Sequence, residues 1–146
     1  MRCHAYLRQG RVFIPTFALV DKGLYRDIEP VAVVDVSETE ALRGAFRETI
    51  ARGNPPGGPY PQPYPQPVVV KYAGLKSWGA FARGASPWII DERDGHYWII
   101  GHRREPNNFA VDPDQTVDFP HGKTLDHVID RLIAILQVTA RKSQGS

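Results

Sequence analysis

The chain has 146 residues, of which 42% are hydrophobic and 23% are charged, and its formal net charge is +2 at pH 7. This composition excludes a generally disordered chain and allows one domain, or two small half-domains that share a core. The 18 basic and 16 acidic residues are spread along the chain, so the basic cluster that nucleic-acid binding requires is missing.

The first elements are predicted to be a β-hairpin. Residues 3–7 and 12–20 are apolar segments, and Gln9-Gly10 between them offers a two-residue turn. Pro15 lacks a backbone donor, so the second strand should lie at a sheet edge or contain a bulge. Cys3 is the single cysteine, which excludes an internal disulfide, favours a reducing compartment and predicts a small core residue.

A third strand and a helix follow. Residues 31–36 read VAVVDV and are rich in β-branched side chains. Ser37 with Glu40 has the spacing of a capping box, which predicts a helix that starts there. Gly53 stands where a left-handed residue ends a helix.

The middle of the chain is the sequence GNPPGGPYPQPYPQP, residues 53–67, which holds seven of the thirteen prolines. Such a run favours polyproline II and neither a helix nor a paired strand. Two interpretations stay open: a spacer or surface loop, or a ligand for a partner that binds proline-rich segments.

Beyond this proline tract, residues 68–72 read VVVKY and predict a strand, and Leu75, Trp78 and Phe81 predict a short helix. Asp94-Gly95 between two apolar runs predicts a hairpin. In that register Ile90 opposes Ile99, Ile89 opposes Ile100 and Trp98 lies opposite Asp91.

Residues 107–119 predict a second hairpin that turns at residues 112–114, and Thr124 is expected to cap a closing helix. Residues 141–146 are expected to fray. The closing helix should anchor the core because its apolar positions form one stripe: Leu125, Val128, Ile129, Leu132, Ile133 and Leu136.

The order of elements predicts an α+β fold, in which antiparallel hairpins pack against two main helices and one short helix. We expect one compact domain with a half at residues 1–53, a proline-rich linker or loop at 54–67 and a second half at 68–140. The N-terminus lacks the apolar core of a signal peptide, and no apolar stretch approaches the ~20 residues that span a bilayer.

The sequence has no recognisable catalytic constellation. Its five histidines lack metal-ligand spacing, and neither a nucleophile elbow nor a phosphate-binding glycine loop occurs. We therefore predict no catalytic, cofactor-binding or metal-binding residues. Asp91, Glu92 and Asp94 are expected to be solvated carboxylates at the hairpin end, close to an aromatic-rich segment.

The run VVVKYAGLKSWGAFARGASPWIIDERDGHYWII resembles small bacterial immunity-type proteins of contact-dependent growth-inhibition and other polymorphic toxin systems. The resemblance rests on Lys71 to Phe81, on the Trp/Ile strand and Gly turn that follow, and on the layout of residues 10–37. It implies that the protein binds the C-terminal domain of a cognate toxin and blocks its active site or substrate access. One departure is charge, because many nuclease inhibitors are strongly acidic and this chain is not.

These observations predict a non-enzymatic, cytoplasmic protein that binds a protein partner, with no role in nucleic-acid or membrane binding. An aromatic and acidic patch would suit a basic partner. Two alternatives are a small bacterial enzyme that uses His102 and nearby carboxylates, and an adaptor bound through its proline tract. The predicted partner-binding residues are Trp78, Asp91, Glu92, Asp94 and His96.

Overall fold

The computed structural model of the protein describes residues 1–59, 61–106 and 108–144. The strands are β1 (Arg2–Arg8), β2 (Arg11–Leu19), β3 (Tyr25–Asp35), β4 (Ala85–Arg93), β5 (His96–Arg104) and β6 (Phe109–Asp118). The helices are α1 (Thr39–Arg52), α2 (Val69–Tyr72), α3 (Trp78–Ala82) and α4 (Leu125–Gln144), and a 3-10 turn at Asp21–Gly23 joins β2 to β3.

The strands form one antiparallel sheet in the order β3-β2-β1-β4-β5-β6. Its centre is the pairing of β1 with β4, in which Cys3 lies opposite Ile90 and Ala5 lies opposite Trp88. Residues on both sides of the proline tract therefore share one sheet. The predicted α+β class is confirmed.

Both two-residue hairpin turns form as predicted. Gln9 and Gly10 have φ angles of 49° and 76°, and Asp94 and Gly95 have φ angles of 53° and 79°. These positive angles belong to type I′ turns, whose twist matches that of the strands they join. The predicted register of the second hairpin is confirmed: Ile89 with Ile100, Ile90 with Ile99 and Asp91 with Trp98. In the first hairpin Tyr6 lies opposite Phe13.

Strand β3 begins at Tyr25, six residues before the predicted start, and contains an irregularity opposite Pro15. Pro15 lies opposite Val31 and Thr16 lies opposite Ile28, so two residues of β3 have no partner in β2. Because β2 is an interior strand, the missing donor of Pro15 is accommodated by a bulge, which was one of the two predicted outcomes.

Helices α1 and α4 cover one side of the sheet, which we call the inner face. The buried apolar stripe of α4 matches the prediction, with only Leu125 partly exposed. It packs with Leu42 and Phe46 of α1 and with Cys3 of β1, which is buried as predicted. Among the described residues, no helix is both long and apolar enough to cross a bilayer.

The opposite side, which we call the outer face, has its own smaller core. Tyr6 of β1 and Phe13 of β2 pack there against Val69, Val70 and Phe81 of α2 and α3. Successive residues of a strand point to opposite faces, so β1 and β2 contribute to both cores.

Two predicted strand segments are wrong. Residues 68–72 form the helical turn α2, because burial of two valines against the outer face overrides their β propensity. Residues 107–119 were expected to form a hairpin, yet 109–118 form one irregular strand, and residue 107 lies outside the described residues. Ile99 lies opposite Val117 and Gly101 opposite Asp112, so the predicted turn is a wide bulge inside β6.

Helix α1 ends at Gly53 as predicted, with a φ angle of 78°, but its start differs. The backbone N–H and the hydroxyl of Ser37 both donate to Oδ1 of Asp35, at 2.9 and 2.7 Å. These bonds lower the pKa of Asp35. Ser37 is therefore held by the last residue of β3, and the predicted capping box with Glu40 is absent.

Helix α4 is capped by Thr124, whose hydroxyl accepts from the N–H of His127 at 3.2 Å. The helix continues through Gln144, whereas fraying was predicted from residue 141, and residues 145–146 lie outside the described residues. Arg141 and Lys142 favour this extension because cations stabilise the negative end of a helix dipole.

The proline tract is a surface loop that is attached to the sheet at its start and to the connection between α2 and α3 at its end. Leu19 donates to the carbonyl of Pro55 at 2.9 Å, and Gly57 donates back to the carbonyl of Leu19 at 2.8 Å. At the far end, the amide of Gln66 donates to the carbonyl of Lys76 at 3.1 Å. The tract is therefore a surface loop whose residues 55–57 extend the sheet rather than act as a free spacer.

Candidate functional site

The outer face of the sheet carries the candidate site because its two halves differ in cover. Over β1–β3 it is covered by α2, α3 and the end of the proline tract. Over β4–β6 a shallow cavity of about 250 Å³ opens at the surface. We call this second half the open strip and define it by its lining residues: Asp91, Arg93, Trp98, Ile100, Val111 and Thr116.

The open strip exposes apolar side chains that one would expect to be covered. Trp98 and Ile100 are half-buried, and 54% of Val111 is exposed. The three residues lie on neighbouring strands, β5 and β6, so they form one patch. A contiguous apolar patch on a sheet face is typical of a surface that binds another macromolecule.

Asp91 does not belong to a solvated acidic cluster, so that prediction is wrong. It is 4% exposed and lies beneath the open strip, opposite Trp98. Its oxygens lie 3.4 Å from Nε of Arg2 and 3.3 Å from Nε of Arg93. The hairpin turn comprises only Asp94-Gly95, so Asp91 stands three residues inside β4 and its carboxylate requires paired cations.

Glu92, Asp94 and His96 do lie together at the end of the β4–β5 hairpin. Glu92 accepts from the N–H of Gly95 at 2.9 Å and so closes the turn. The ring of His96 stacks on Trp98 with a centroid separation of 4.2 Å, and its Nε2 pairs with Asp118. His96 therefore extends the aromatic surface of the open strip toward the hairpin end.

Trp78 lies at the other end of the molecule's outer face. It is half-buried on α3, and its ring contacts those of Phe81 and Phe109, with centroids 5.7 and 6.2 Å away. Phe109 pairs with Arg104, eight residues along β5 from His96. At ~3.3 Å per residue this separation is ~26 Å, so the five predicted residues do not form one patch.

Sequence reasoning missed a cleft of about 340 Å³ over β1–β3, which we call the aromatic cleft. On its floor Nδ1 of His4 lies 3.0 Å from Oδ1 of Asp27, and the hydroxyl of Tyr6 donates to Oδ2 at 2.6 Å. Burial and the negative charge of Asp27 raise the pKa of Tyr6 well above its ordinary value, so Tyr6 remains a donor. The cleft is lined by His4, Tyr6, Phe17, Tyr25, Arg26, Asp27, Pro65, Gln66, Pro67, Trp78 and Asn108.

The alternation of polar and apolar residues in β1 was a signal for this site. His4 and Tyr6 are two residues apart on one strand and therefore face the same side. Their partner Asp27 lies in the first part of β3, to which no element was assigned from the sequence, so its approach to His4 could not be inferred.

His102, which the predicted enzymatic alternative would use, has a backbone carbonyl as its hydrogen-bond partner. Nδ1 of His102 lies 3.2 Å from the carbonyl oxygen of Pro87, and burial lowers the pKa of the ring. The imidazoles that meet a carboxylate are instead His4, beside Asp27, and His96, beside Asp118. Within residues 1–59, 61–106 and 108–144, no group of three or more Cys, His, Asp and Glu is arranged to hold a metal ion.

Comparisons with known proteins relate the chain to a fold. No protein-family model matches the sequence, and no curated protein matches it. A solved structure of a protein of unknown function from Neisseria meningitidis is similar over 92% of this chain and 92% of its own. The TM-score is 0.63 and the sequence identity is 11%, so the similarity shows a common fold.

Proposed function

We propose that this protein is a cytoplasmic immunity protein that neutralises a cognate bacterial toxin domain by covering its active site. The single observation that carries the proposal is the open strip. Trp98 and Ile100 are half-buried and Val111 is 54% exposed there, on a sheet whose inner face packs against two helices. The resemblance of Lys71 to Phe81 and the following strands to immunity-type proteins supports the choice of partner.

The composition of the strip supports a protein as the partner. Tryptophan is among the residues that contribute most to binding energy when a partner covers it. The apolar centre is bordered by charged residues of both signs, among them Arg93 and Asp118, which are 66% and 67% exposed. An apolar centre with a polar rim is the usual anatomy of a protein interface.

A protein that blocks an active site needs a rigid covering surface and does not need reactive groups. β5 is paired on both sides, and Asp91 is held by two arginines directly beneath the strip. A surface held in this way loses little conformational entropy when a toxin domain binds. Neutralisation would then follow from exclusion of the substrate, with no covalent step.

The test is protection of growing cells. The C-terminal domain of the toxin encoded beside this chain is expressed together with wild type, Val111→Asp, Trp98→Ala or Val138→Asp. Val138 is the matched control, because it is 40% exposed on α4, on the far side of the sheet. We expect wild type and Val138→Asp to restore growth and both strip variants to lose at least about tenfold in affinity for the toxin domain.

Circular dichroism and thermal unfolding confirm that each variant is folded before protection is scored. Equal protection by folded Val111→Asp, Trp98→Ala and wild type would exclude the open strip as the interface. A wild-type chain that neither binds nor neutralises the toxin domain would contradict the function itself.

A further inference from the structure

The floor of the aromatic cleft holds a buried carboxylate that has no arginine or lysine partner among the side chains that the structure describes. The side chain of Asp27 is only 6% exposed, and its hydrogen-bond partners are the Tyr6 hydroxyl and the His4 imidazole. Among the described residues, its one ion-pair partner is His4, which is charged only when protonated. Buried carboxylates are usually paired with a cation, so this carboxylate is suited to accept one from a ligand.

The walls of the cleft are suited to a cation. Phe17 and Tyr25 stack with centroids 4.7 Å apart, and Tyr6 and Trp78 meet edge to face at 6.1 Å. The faces of such rings carry negative potential and attract guanidinium and ammonium groups. The chain already uses one of these rings in this way, because the Arg2 guanidinium lies 5.4 Å from the centre of Tyr25.

Neither arginine of the chain near the cleft pairs with Asp27. The guanidinium of Arg2 lies over the Tyr25 ring, but its ion-pair partner is Asp91. Arg26 also lines the cleft, but it stands between Tyr25 and Asp27 on β3, and strand alternation directs its side chain to the opposite face. A cation that neutralises Asp27 would therefore come from outside the chain.

The aromatic cleft and the open strip are neighbours on the outer face of the sheet. His4 lies opposite Ile89 of β4, and Ile89 lies opposite Ile100 of β5, so the three residues form one row across the sheet. Neighbouring strands are ~4.8 Å apart, which places the floor of the cleft ~10 Å from the strip. A partner that covers the strip can therefore reach the cleft with one side chain.

We propose that the aromatic cleft binds the guanidinium group of an arginine side chain supplied by the protein partner that covers the open strip. This inference rests on the proposed function and names the chemistry of its deepest contact. The planar guanidinium stacks on aromatic faces and donates to the carboxylate of Asp27 in the same geometry.

The first test uses N-acetyl-arginine methylamide and its uncharged isostere N-acetyl-citrulline methylamide as probes of the full chain. Binding is followed by amide chemical shifts in ¹⁵N NMR spectra. We expect millimolar-range saturation by the arginine probe at His4, Tyr25 and Asp27, and at least about tenfold weaker binding of the citrulline probe. Equal binding of the two probes, or none by either, would overturn a cation site in the cleft.

Matched variants test whether binding of the arginine probe depends on the Asp27 carboxylate and on the aromatic walls of the cleft. Asp27→Asn should weaken the arginine probe at least about tenfold, whereas Asp126→Asn, at an exposed carboxylate on α4, should leave it unchanged. Because Asp27 is buried, a second pair of variants leaves its carboxylate in place: Tyr25→Leu removes one wall of the cleft, and Tyr72→Leu changes a residue outside it. A folded Tyr25→Leu with wild-type affinity would contradict the site.

The second test separates a partner's side chain from a free small cation. Each arginine of the toxin domain is replaced by glutamine, and binding to wild type and to Asp27→Asn is measured. We expect one replacement to weaken binding to wild type at least about tenfold and to have no further effect on Asp27→Asn.

If no replacement behaves in this way while Val111→Asp still abolishes binding, the cleft inference fails and the proposed function stands. If the arginine probe binds at Asp27 but the toxin domain does not bind at all, the proposed function and the partner's arginine both fail.

Discussion

At the scale of single residues, Gly101 of β5 shows how closely the sheet is packed. A Cβ atom on this residue would lie 2.5 Å from Cβ of Gln115, 2.7 Å from its carbonyl oxygen and 2.9 Å from the Trp88 ring. Gly101 lies where the β5–β6 register shifts, so the bulge of β6 crosses directly over it. The absence of a side chain is what permits this approach.

We expect Gly101→Ala to lower the free energy of unfolding by about 1–3 kcal/mol, because the backbone and the Trp88 ring must move apart. The matched control is Gly44→Ala in α1, where a Cβ meets nothing within 4 Å. That variant should gain about 0.5–1 kcal/mol from helix propensity. Urea denaturation of both variants measures the difference, and equal stability of the two would show that the close approach at Gly101 is relieved at no cost.

At the scale of elements, the attachment of the proline tract depends on Asn54. Its side-chain oxygen accepts from the N–H of Arg2 at 2.9 Å, and its amide group donates to the carbonyls of Arg2 and Phe17 at 2.7 and 2.8 Å. These bonds join the start of the tract to β1 and β2, beside the end of α1.

We expect Asn54→Ala to cost about 1–3 kcal/mol of unfolding free energy, because it leaves partly buried backbone groups without partners. Gln62→Ala, at an exposed position within the same tract, should change stability by no more than about 0.5 kcal/mol. Thermal unfolding measures both. Similar melting temperatures for the two variants would mean that the tract is held by its backbone contacts alone.

The elements that the sequence predicted are those whose signals are local. Asp94-Gly95 and Gln9-Gly10 set their own registers, and the stripe of α4 is visible in its 3.6-residue period. Residues 68–72 could not be assigned in this way, because their conformation is decided by what they cover. The pairing of β1 with β4 joins segments about 80 residues apart, and no local pattern encodes it.

The candidate site was predictable only in part for the same reason. Glu92, Asp94 and His96 were placed correctly at one hairpin end because the turn itself was. Asp91 was misplaced because its exposure depends on which face of β4 the helices leave open. The contact of His4 with Asp27 required β3 to start earlier than its β-branched run indicated.

At the scale of the whole molecule, the free energy of unfolding depends on pH in the alkaline range, because the Cys3 thiol and the Tyr6 hydroxyl are buried weak acids. Burial and the charge of Asp27 raise the pKa of the Cys3 thiol to about 12, and the pKa of Tyr6 is also raised. Both groups are neutral in the fold, whereas the unfolded chain ionises its thiol near pH 9. Unfolding therefore releases protons above that pH, and stability falls as pH rises through this range.

We expect the unfolding free energy to decrease from about pH 9 to pH 12, with the thiol alone contributing on the order of a few kcal/mol. Cys3→Ala removes the contribution of the thiol to this pH dependence. The unfolding free energy of the variant should therefore decline less steeply with pH, even if the variant is less stable than wild type at neutral pH. Urea denaturation at intervals between pH 8 and 11 gives both slopes. Parallel slopes would contradict a buried neutral thiol.

The central position of β1 has a consequence for synthesis of the chain. β1 emerges from the ribosome before the other strands of the sheet, yet its second edge pairs only with residues 85–91. At a translation rate of ~5–20 residues per second, that edge is unpaired for ~4–16 s. During this interval the nascent hairpin offers an open template to other extended chains, so nascent-chain chaperones have their greatest effect on this protein before residue 93 has left the exit tunnel.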